Sequence, residues 1–127
     1  MNSKVLAVVS AAVALLLVSG TAWAHHAGSL YDRDHNITVT GNVTKYEFAN
    51  PHTRIHFEVK DGQGNVVKWV AESAPPQRLY RAGWRTDSLK PGDQITVSGF
   101  PMKDGSKYIT VRKLVGPTGK VLTEGAE

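Results

Sequence analysis

Alternation of apolar and polar residues is the main pattern of this chain. Between residues 37 and 44 the apolar residues stand at odd positions and the polar residues at even ones. This pattern predicts a β-strand with one buried face. The alternation shifts before Tyr46 and Phe48, which predicts a β-bulge near Lys45, and Gly41 predicts a bend or bulge of its own.

A second and a third strand follow the break at Asn50-Pro51. The second strand is indicated by the alternating apolar residues Ile55, Phe57 and Val59. Residues 61–65 have the composition of a hairpin turn, and residues 66–72 then predict the third strand. Within that strand, Trp69 is the bulkiest candidate for the core.

A short helix is predicted over residues 77–82, after the third strand. Ser73 has a side chain suited to cap it, and the prolines at 75–76 suit a first turn. Gly83 is expected to end the helix, and Trp84 is expected to pack beneath it.

The remaining pattern predicts two more strands and a short last one. The elements in order are a turn at 89–93, a strand at 95–99, a turn at 104–106, a strand at 108–115 and a short strand at 120–122. The order strand-strand-strand-helix-strand-strand is that of an OB-fold. We therefore expect an all-β domain over residues 37–122: an OB-like barrel of five to six strands with one short helix between strands 3 and 4. A two-sheet sandwich is the alternative, and residues 123–127 are expected to form a disordered tail.

Residues 1–24 have the features of a secretory signal peptide. Lys4 precedes an apolar run at 5–18, and the small-x-small site Ala22-Trp23-Ala24 follows. The run is shorter than the roughly 20 apolar residues of a membrane span. We predict cleavage after Ala24, export to a bacterial periplasm and no membrane span in the mature form; cleavage after Ala22 is the alternative.

Composition narrows the class of protein further. Removing 24 of the 127 residues leaves 103, enough for one small domain. The chain has no cysteine, which excludes disulfides and thiolate chemistry. The net charge of +4 falls to 4 − 1 = +3 once Lys4 is removed. The one local basic cluster, at Arg78, Arg81 and Arg85, is interpreted as a solvated helix face, so no nucleic-acid partner is expected.

All the histidines lie in the first half of the mature chain. They are His25, His26, His35, His52 and His56. Cleavage after Ala24 would make His25 the first residue, whose α-amine and imidazole can then chelate one metal ion. Imidazole nitrogens suit several transition metals, and copper(II) stands highest in the usual order of affinity.

Two metal geometries are compatible with the sequence. In the first, His52 folds in as a third nitrogen ligand beside the His25 chelate, as in the histidine brace of some exported copper proteins. In the second, the amine, the next backbone nitrogen and the His26 ring bind copper within the tail alone. Hydrogen bonding of the turn is an equally weighted role for His52. His56 is interpreted as a surface-paired side chain and His35 as a solvated turn residue.

A second hypothesis needs no metal. In it the barrel is a non-catalytic binding module, and Tyr46, Phe48 and Tyr108 line a face for a small ligand or a periplasmic protein partner. The serines have no evident histidine and carboxylate partners, so no catalytic set is predicted and the protein is expected not to be an enzyme. The arm over residues 25–36 is expected to be attached to the body through Leu30 and Tyr31.

Five short motifs together resemble a known family. They are the His-His start after the signal, Asn50-Pro51-His52, Arg81–Trp84, Leu89–Asp93 and Lys103–Ser106. This combination is similar to the small exported bacterial proteins grouped as domain of unknown function 6152. Members of that family commonly have His-His-Ser where this chain has His25-His26-Ala27. The resemblance implies an exported protein whose domain covers nearly all of the mature chain, and it implies no activity.

Overall fold

The computed structural model describes residue 2 and residues 30–123. The expected cleavage site, both histidines that follow it, and residues 124–127 lie outside the described residues. Residues 30–123 form six strands and one helix: β1 (Ile37–Glu47), β2 (Arg54–Lys60), β3 (Val66–Glu72), α1 (Pro76–Arg81), β4 (Gln94–Pro101), β5 (Tyr108–Val115) and β6 (Val121–Thr123). Over the described ranges, no helix has the length and apolar character needed to cross a bilayer.

The strands form one sheet that closes on itself. Their order is β3-β2-β1-β4-β5-β6, and every neighbouring pair is antiparallel. A parallel pairing between β3 and β5, from Val70 to Glu72 and from Tyr108 to Thr110, closes the barrel. Five strands thus make a closed barrel, β6 is an additional strand on β5, and the helix lies between β3 and β4. The predicted OB-like fold is confirmed, and the sandwich alternative is wrong because the sheet closes.

β1 is long because it belongs to both halves of the barrel. It pairs with β4 from Ile37 to Asn42, and from Asn42 onwards it pairs with β2. The register shifts between Val43 and Lys45, which confirms the predicted bulge. Gly41 has a different role from the predicted bend, since a Cβ atom there would collide with the backbone carbonyl oxygen of Glu58. Glycine at this position lets the two strands approach closely.

The core fills the barrel and extends under the helix. Its buried apolar residues are Val43, Ile55, Phe57, Ala71, Ala74, Leu79, Trp84, Leu89, Ile95, Val97, Ile109, Val111, Leu114 and Leu122. Trp84 is fully buried in the same core cluster as Leu79 of the helix, in agreement with the prediction, and its Nε1 donates to the Thr123 carbonyl 3.1 Å away. β6 extends to Thr123, a residue that was expected to belong to the disordered tail. Trp69 is only partly buried and packs against the core, with its ring 6.3 Å from that of Phe57.

The helix has the predicted end but a different start. Gly83, with φ of 97°, follows its last turn and donates its backbone N–H to the Tyr80 carbonyl. At the other end the cap position is Pro75, and no side chain caps the helix there. The backbone N–H of Ser73 donates instead to the Thr53 carbonyl. Ser73 thus continues the pairing of the segments around β2 and β3, because this non-local pairing takes precedence over local capping.

Gly99 provides a test of strand packing. It lies at a second register shift, in β4, where a Cβ atom would collide with the Thr110 carbonyl of β5. We expect Gly99→Ala to lower the free energy of unfolding by about 3 kcal/mol, the upper end of the cost of overpacking, because backbone atoms cannot move aside cheaply. Urea denaturation measures the change. Gly62→Ala is the control, since nothing lies within 4 Å of that Cβ position; equal losses in both variants would contradict this account.

Candidate functional site

The outer surface of β1, β2, β3 and β5 carries a group of charged and polar side chains that contact one another. Directly paired residues on neighbouring strands share a face of a sheet, and successive residues alternate between faces. One row across the strands therefore contains Lys45, His56, Val70 and Tyr108, and the next contains Glu47, Arg54, Glu72 and Thr110. We call these two rows the outer face. The row between them, with Tyr46, Ile55, Ala71 and Ile109, points towards the core.

Glu47 connects two basic groups on the outer face. Its carboxylate lies 2.5 Å from Lys45 Nζ and 2.8 Å from His56 Nε2. The hydrogen bond from Lys45, and then that from His56, lower the pKa of Glu47 to about 2. The carboxylate is thus ionised at ordinary pH and holds the His56 ring. This contact confirms the expectation that His56 is a surface-paired histidine.

A second group of side chains on this face contains two tyrosines. Tyr108 donates its hydroxyl hydrogen to Glu72 Oε2 at 2.5 Å, and Arg54 Nε lies 3.5 Å from the same oxygen. Burial, helped by the bond to Glu72, raises the pKa of Tyr108 to about 12. The ring of Tyr31, from the arm, lies 6.5 Å from the Tyr108 ring. We call Tyr31, Arg54, Glu72 and Tyr108 the tyrosine cluster.

Tyr31 also attaches the arm to the body through its backbone. It forms an isolated antiparallel bridge with Met102, and the N–H of Asp32 donates to the Pro101 carbonyl at 2.8 Å. Burial raises the pKa of Tyr31 above its usual range, and the charge of Glu72 raises it further. Leu30, by contrast, is 52% exposed. Tyr31 is thus confirmed as an anchor of the arm.

His35, further along the arm, has a local partner. Its Nδ1 lies 2.8 Å from Asp32 Oδ2. The His35 side chain is 75% exposed and the Asp32 side chain is 30% exposed. The hydrogen bond with Asp32 raises the pKa of His35 and lowers the pKa of that aspartate. The interpretation of His35 as a turn residue agrees with this geometry.

His52 lies at the corner that leads into β2 and has an exposed side chain. Its Nδ1 is 3.2 Å from the Ser73 carbonyl oxygen. Because a carbonyl oxygen can only accept a hydrogen bond, Nδ1 must carry a hydrogen, and in the neutral imidazole Nε2 is then the nitrogen with the free lone pair. The neighbouring backbone is held by a bond from the Ser73 N–H to the Thr53 carbonyl at 2.9 Å. Histidine ligands of metals in proteins are commonly fixed in this way by a carbonyl group.

The described part of the chain contains one of the three predicted metal ligands. His25 and His26 lie outside it, and His52 is present as an exposed residue. From residue 30 to residue 123, no group of three or more His, Cys, Asp or Glu side chains is arranged to hold a metal. His52 and His56 are four residues apart, about 13 Å in an extended strand, and cannot share one ion.

The three aromatic residues predicted to line a ligand face do not share one surface. Tyr46 and Phe48 pack against the core, with ring centroids 5.9 Å apart. The Tyr46 hydroxyl donates to the Arg85 carbonyl at 3.0 Å, and burial raises the pKa of Tyr46 above its usual range. Tyr108 lies on the outer face, in a row that points away from the core. A groove formed by all three is therefore absent from the described residues.

Sequence reasoning did not anticipate the tyrosine cluster. Arg54 and Glu72 were recognisable as cross-strand partners from the alternation of β2 and β3. Tyr108 joins them only through the parallel pairing of β3 and β5, which connects segments far apart in the chain. The available signal was the OB-like strand order itself, because closure of such a barrel brings these two strands together.

Comparison with solved structures found distant similarity. The chain is similar to yeast Stn1 and Ten1, with 12% identity and a TM-score of 0.42, over 64% of this chain and 42% of that chain. It is similar to TiaS in a complex with a tRNA and ATP, with 20% identity and a TM-score of 0.44, over 67% and 18% of the two chains. A small single-stranded DNA-binding protein from Streptomyces coelicolor has 17% identity and a TM-score of 0.42, over 63% and 88%.

The chain spans less than half the length of the first two of these structures. Comparison with curated proteins found no match. Comparison with protein families matched residues 12–111 to the family described as "Family of unknown function (DUF6152)". This match covers most of the chain, including the Asn50-Pro51-His52 corner and the outer face. The chain therefore belongs to the DUF6152 family.

Proposed function

We propose that this protein is exported to the periplasm and binds a metal ion, most favourably copper(II), without catalysing a reaction. The ligands in this proposal are the α-amine and imidazole of His25, created by cleavage after Ala24, together with the imidazole of His52. His26 is an additional ligand donor in the same tail. The observation that carries the proposal is the state of His52, an exposed residue whose Nδ1 is bonded to the Ser73 carbonyl.

The chemistry of the first residue supports this choice. An N-terminal amine has an ordinary pKa near ~7.7, so a large fraction is neutral at physiological pH and can bind a metal. The amine and the imidazole of one residue close a chelate ring, which fixes two ligands at little further entropic cost. Nitrogen ligands of this type favour copper(II) over the other divalent first-row metals.

The position of His52 supports it as well. The bond to Ser73 fixes both the tautomer and the orientation of the ring before any metal arrives. Such outer-shell bonds raise the basicity of the ligating nitrogen and reduce the ordering that binding requires. His52 is therefore better prepared as a ligand than His56, whose Nε2 is already bonded to Glu47.

The test is a copper(II) titration of protein that begins at His25, followed by electron paramagnetic resonance. We expect His52→Ala to weaken binding by at least roughly 10–100-fold, the range for loss of an outer-shell partner of a ligand, and to change the nitrogen hyperfine pattern. His56→Ala is the matched control and is expected to leave both unchanged.

Two results would count against the proposal in different ways. Unchanged affinity in His52→Ala would mean that the tail binds copper alone, through His25 and His26. Lack of binding by the wild-type protein would refute metal binding altogether. The non-catalytic ligand-binding module would then be the better hypothesis, with the outer face as its binding surface.

A further inference from the structure

We propose that Tyr31 and Tyr108 form a site of oxidative cross-linking, at which a one-electron oxidant joins the two rings into a dityrosine. The new bond attaches the segment before β1 covalently to β5. The chain has no cysteine, so a disulfide cannot make this connection. The inference concerns the tyrosine cluster alone and is independent of the proposed metal site.

The backbone brings the two tyrosines close together. Tyr31 forms an antiparallel bridge with Met102, and the Met102 N–H donates to the Tyr108 carbonyl at 3.1 Å. Met102 therefore lies between the two tyrosines, which places them two strand spacings, or about 10 Å, apart along the backbone. Residues paired across neighbouring strands point to the same face, so the two side chains can meet above Met102.

The rings of Tyr31 and Tyr108 are already in contact. Their centroids are 6.5 Å apart, within the roughly 4.5–7 Å of aromatic pairs, and their planes are inclined by 38°. Within residues 30–123, no other two tyrosine rings contact each other. A bond between ring carbons requires a closer approach. Both residues are partly exposed, so rotation about their side-chain torsions can supply that movement.

Glu72 is the proton acceptor that oxidation of a phenol requires. The Tyr108 hydroxyl donates to Glu72 Oε2 at 2.5 Å, which is within reach for proton transfer. Burial raises the pKa of Tyr31, and the charge of the same carboxylate raises it further, so both hydroxyls interact with Glu72. The hydroxyls of a dityrosine are also neighbours, because the bond joins the ring carbons next to them. The shared carboxylate therefore holds the two phenols in the order that the product needs.

The reaction removes two electrons and two protons in total. Each phenol gives one electron to one equivalent of oxidant, and its hydroxyl proton passes through Glu72 to water. The Glu72 side chain is 21% exposed, so it can release these protons. The two phenoxyl radicals then couple, and one carbon–carbon bond forms between the carbons next to the oxygens. The hydrogen on each coupled carbon is transferred to the oxygen of its own ring, which breaks both C–H bonds and restores both phenols.

The experiment oxidises the full chain, metal-free and dilute, with photogenerated tris(bipyridine)ruthenium(III) and persulfate as the final electron acceptor. Dityrosine fluorescence gives the rate, intact mass gives the loss of two hydrogens, and mass spectrometry of a digest gives the joined positions. Tyr31→Phe and Tyr108→Phe each keep a ring and remove one phenol. Tyr80→Phe is the matched control, because Tyr80 is 58% exposed and stacks with Arg85. Circular dichroism verifies that each variant is folded.

The wild-type chain and Tyr80→Phe should form the cross-link between Tyr31 and Tyr108 within one chain. Tyr31→Phe and Tyr108→Phe should each lose it completely. Glu72→Gln should lose most of the initial rate, because a neutral amide does not take up the phenolic proton. Coupling through Tyr80, or only between two chains, would overturn the site, and an unchanged rate in Glu72→Gln would overturn the role of the carboxylate. Since the protein is metal-free throughout, failure of the proposed copper site changes none of these outcomes.

Discussion

Trp84→Ala is expected to lower the free energy of unfolding by about 3–5 kcal/mol, the range for removal of a large buried aromatic side chain. Trp84 has 0% of its surface exposed and is the largest fully buried side chain among the described residues. Alanine would leave a cavity in the core cluster. It would also remove the donor to the Thr123 carbonyl, and so weaken the attachment of β6. Both losses act in the same direction.

Urea denaturation followed by far-ultraviolet circular dichroism measures the effect without relying on the fluorescence of the deleted residue. Trp69→Ala is the matched control, because Trp69 is only partly buried and stacks on Phe57 at the margin of the core. Its loss should be clearly smaller. If both variants lose the same stability, the difference in burial between the two tryptophans does not determine their contributions.

Addition of one methionine before His25 is expected to weaken copper(II) binding roughly 100-fold, equal to about 2.8 kcal/mol. The added residue converts the His25 amine into an amide and destroys the chelate, while the imidazoles of His25, His26 and His52 remain. The affinity of the processed protein should also fall as the pH decreases below ~7.7, because protonation of the amine competes with the metal.

Isothermal titration of both forms measures this difference. The matched control carries the same added methionine after Glu127, where it changes the mass equally and leaves the N-terminus intact. An unchanged affinity in the N-terminally extended protein would exclude the His25 amine as a ligand. It would favour a site formed by imidazoles alone.

Much of the fold could be predicted from the local pattern of residues in the sequence. The bulge near Lys45 was predictable because a single extra residue inverts the alternation on either side of it. The end of the helix was predictable because Gly83 can adopt the positive φ that the turn requires. These features depend on residues adjacent in the chain, and alternation therefore reveals them.

Features that depend on residues far apart in the chain were harder to predict from the sequence. Ser73 has a good capping side chain, yet its backbone pairs with Thr53, and local preference yields to that pairing. Alternation placed Trp69 inside the barrel but could not indicate how far the barrel covers it. For the candidate site, the sequence identified the chemistry of His52. It could not reveal that the Ser73 carbonyl fixes the ring, since this contact spans 21 residues.

The division of β1 between two partners has a consequence for how the molecule comes apart. β2 and β3 form one hairpin, and β4, β5 and β6 form a meander. Apart from β1, these two units are joined in the sheet only by the short parallel contact of β3 with β5. Release of β1 would thus leave the hairpin and the meander joined in the sheet by the β3–β5 pairing alone, in an open sheet that no longer encloses a core. Loss of the β1 pairings leaves the β3–β5 pairing without support. The hairpin and the meander are therefore expected to lose their structure together in a single cooperative event.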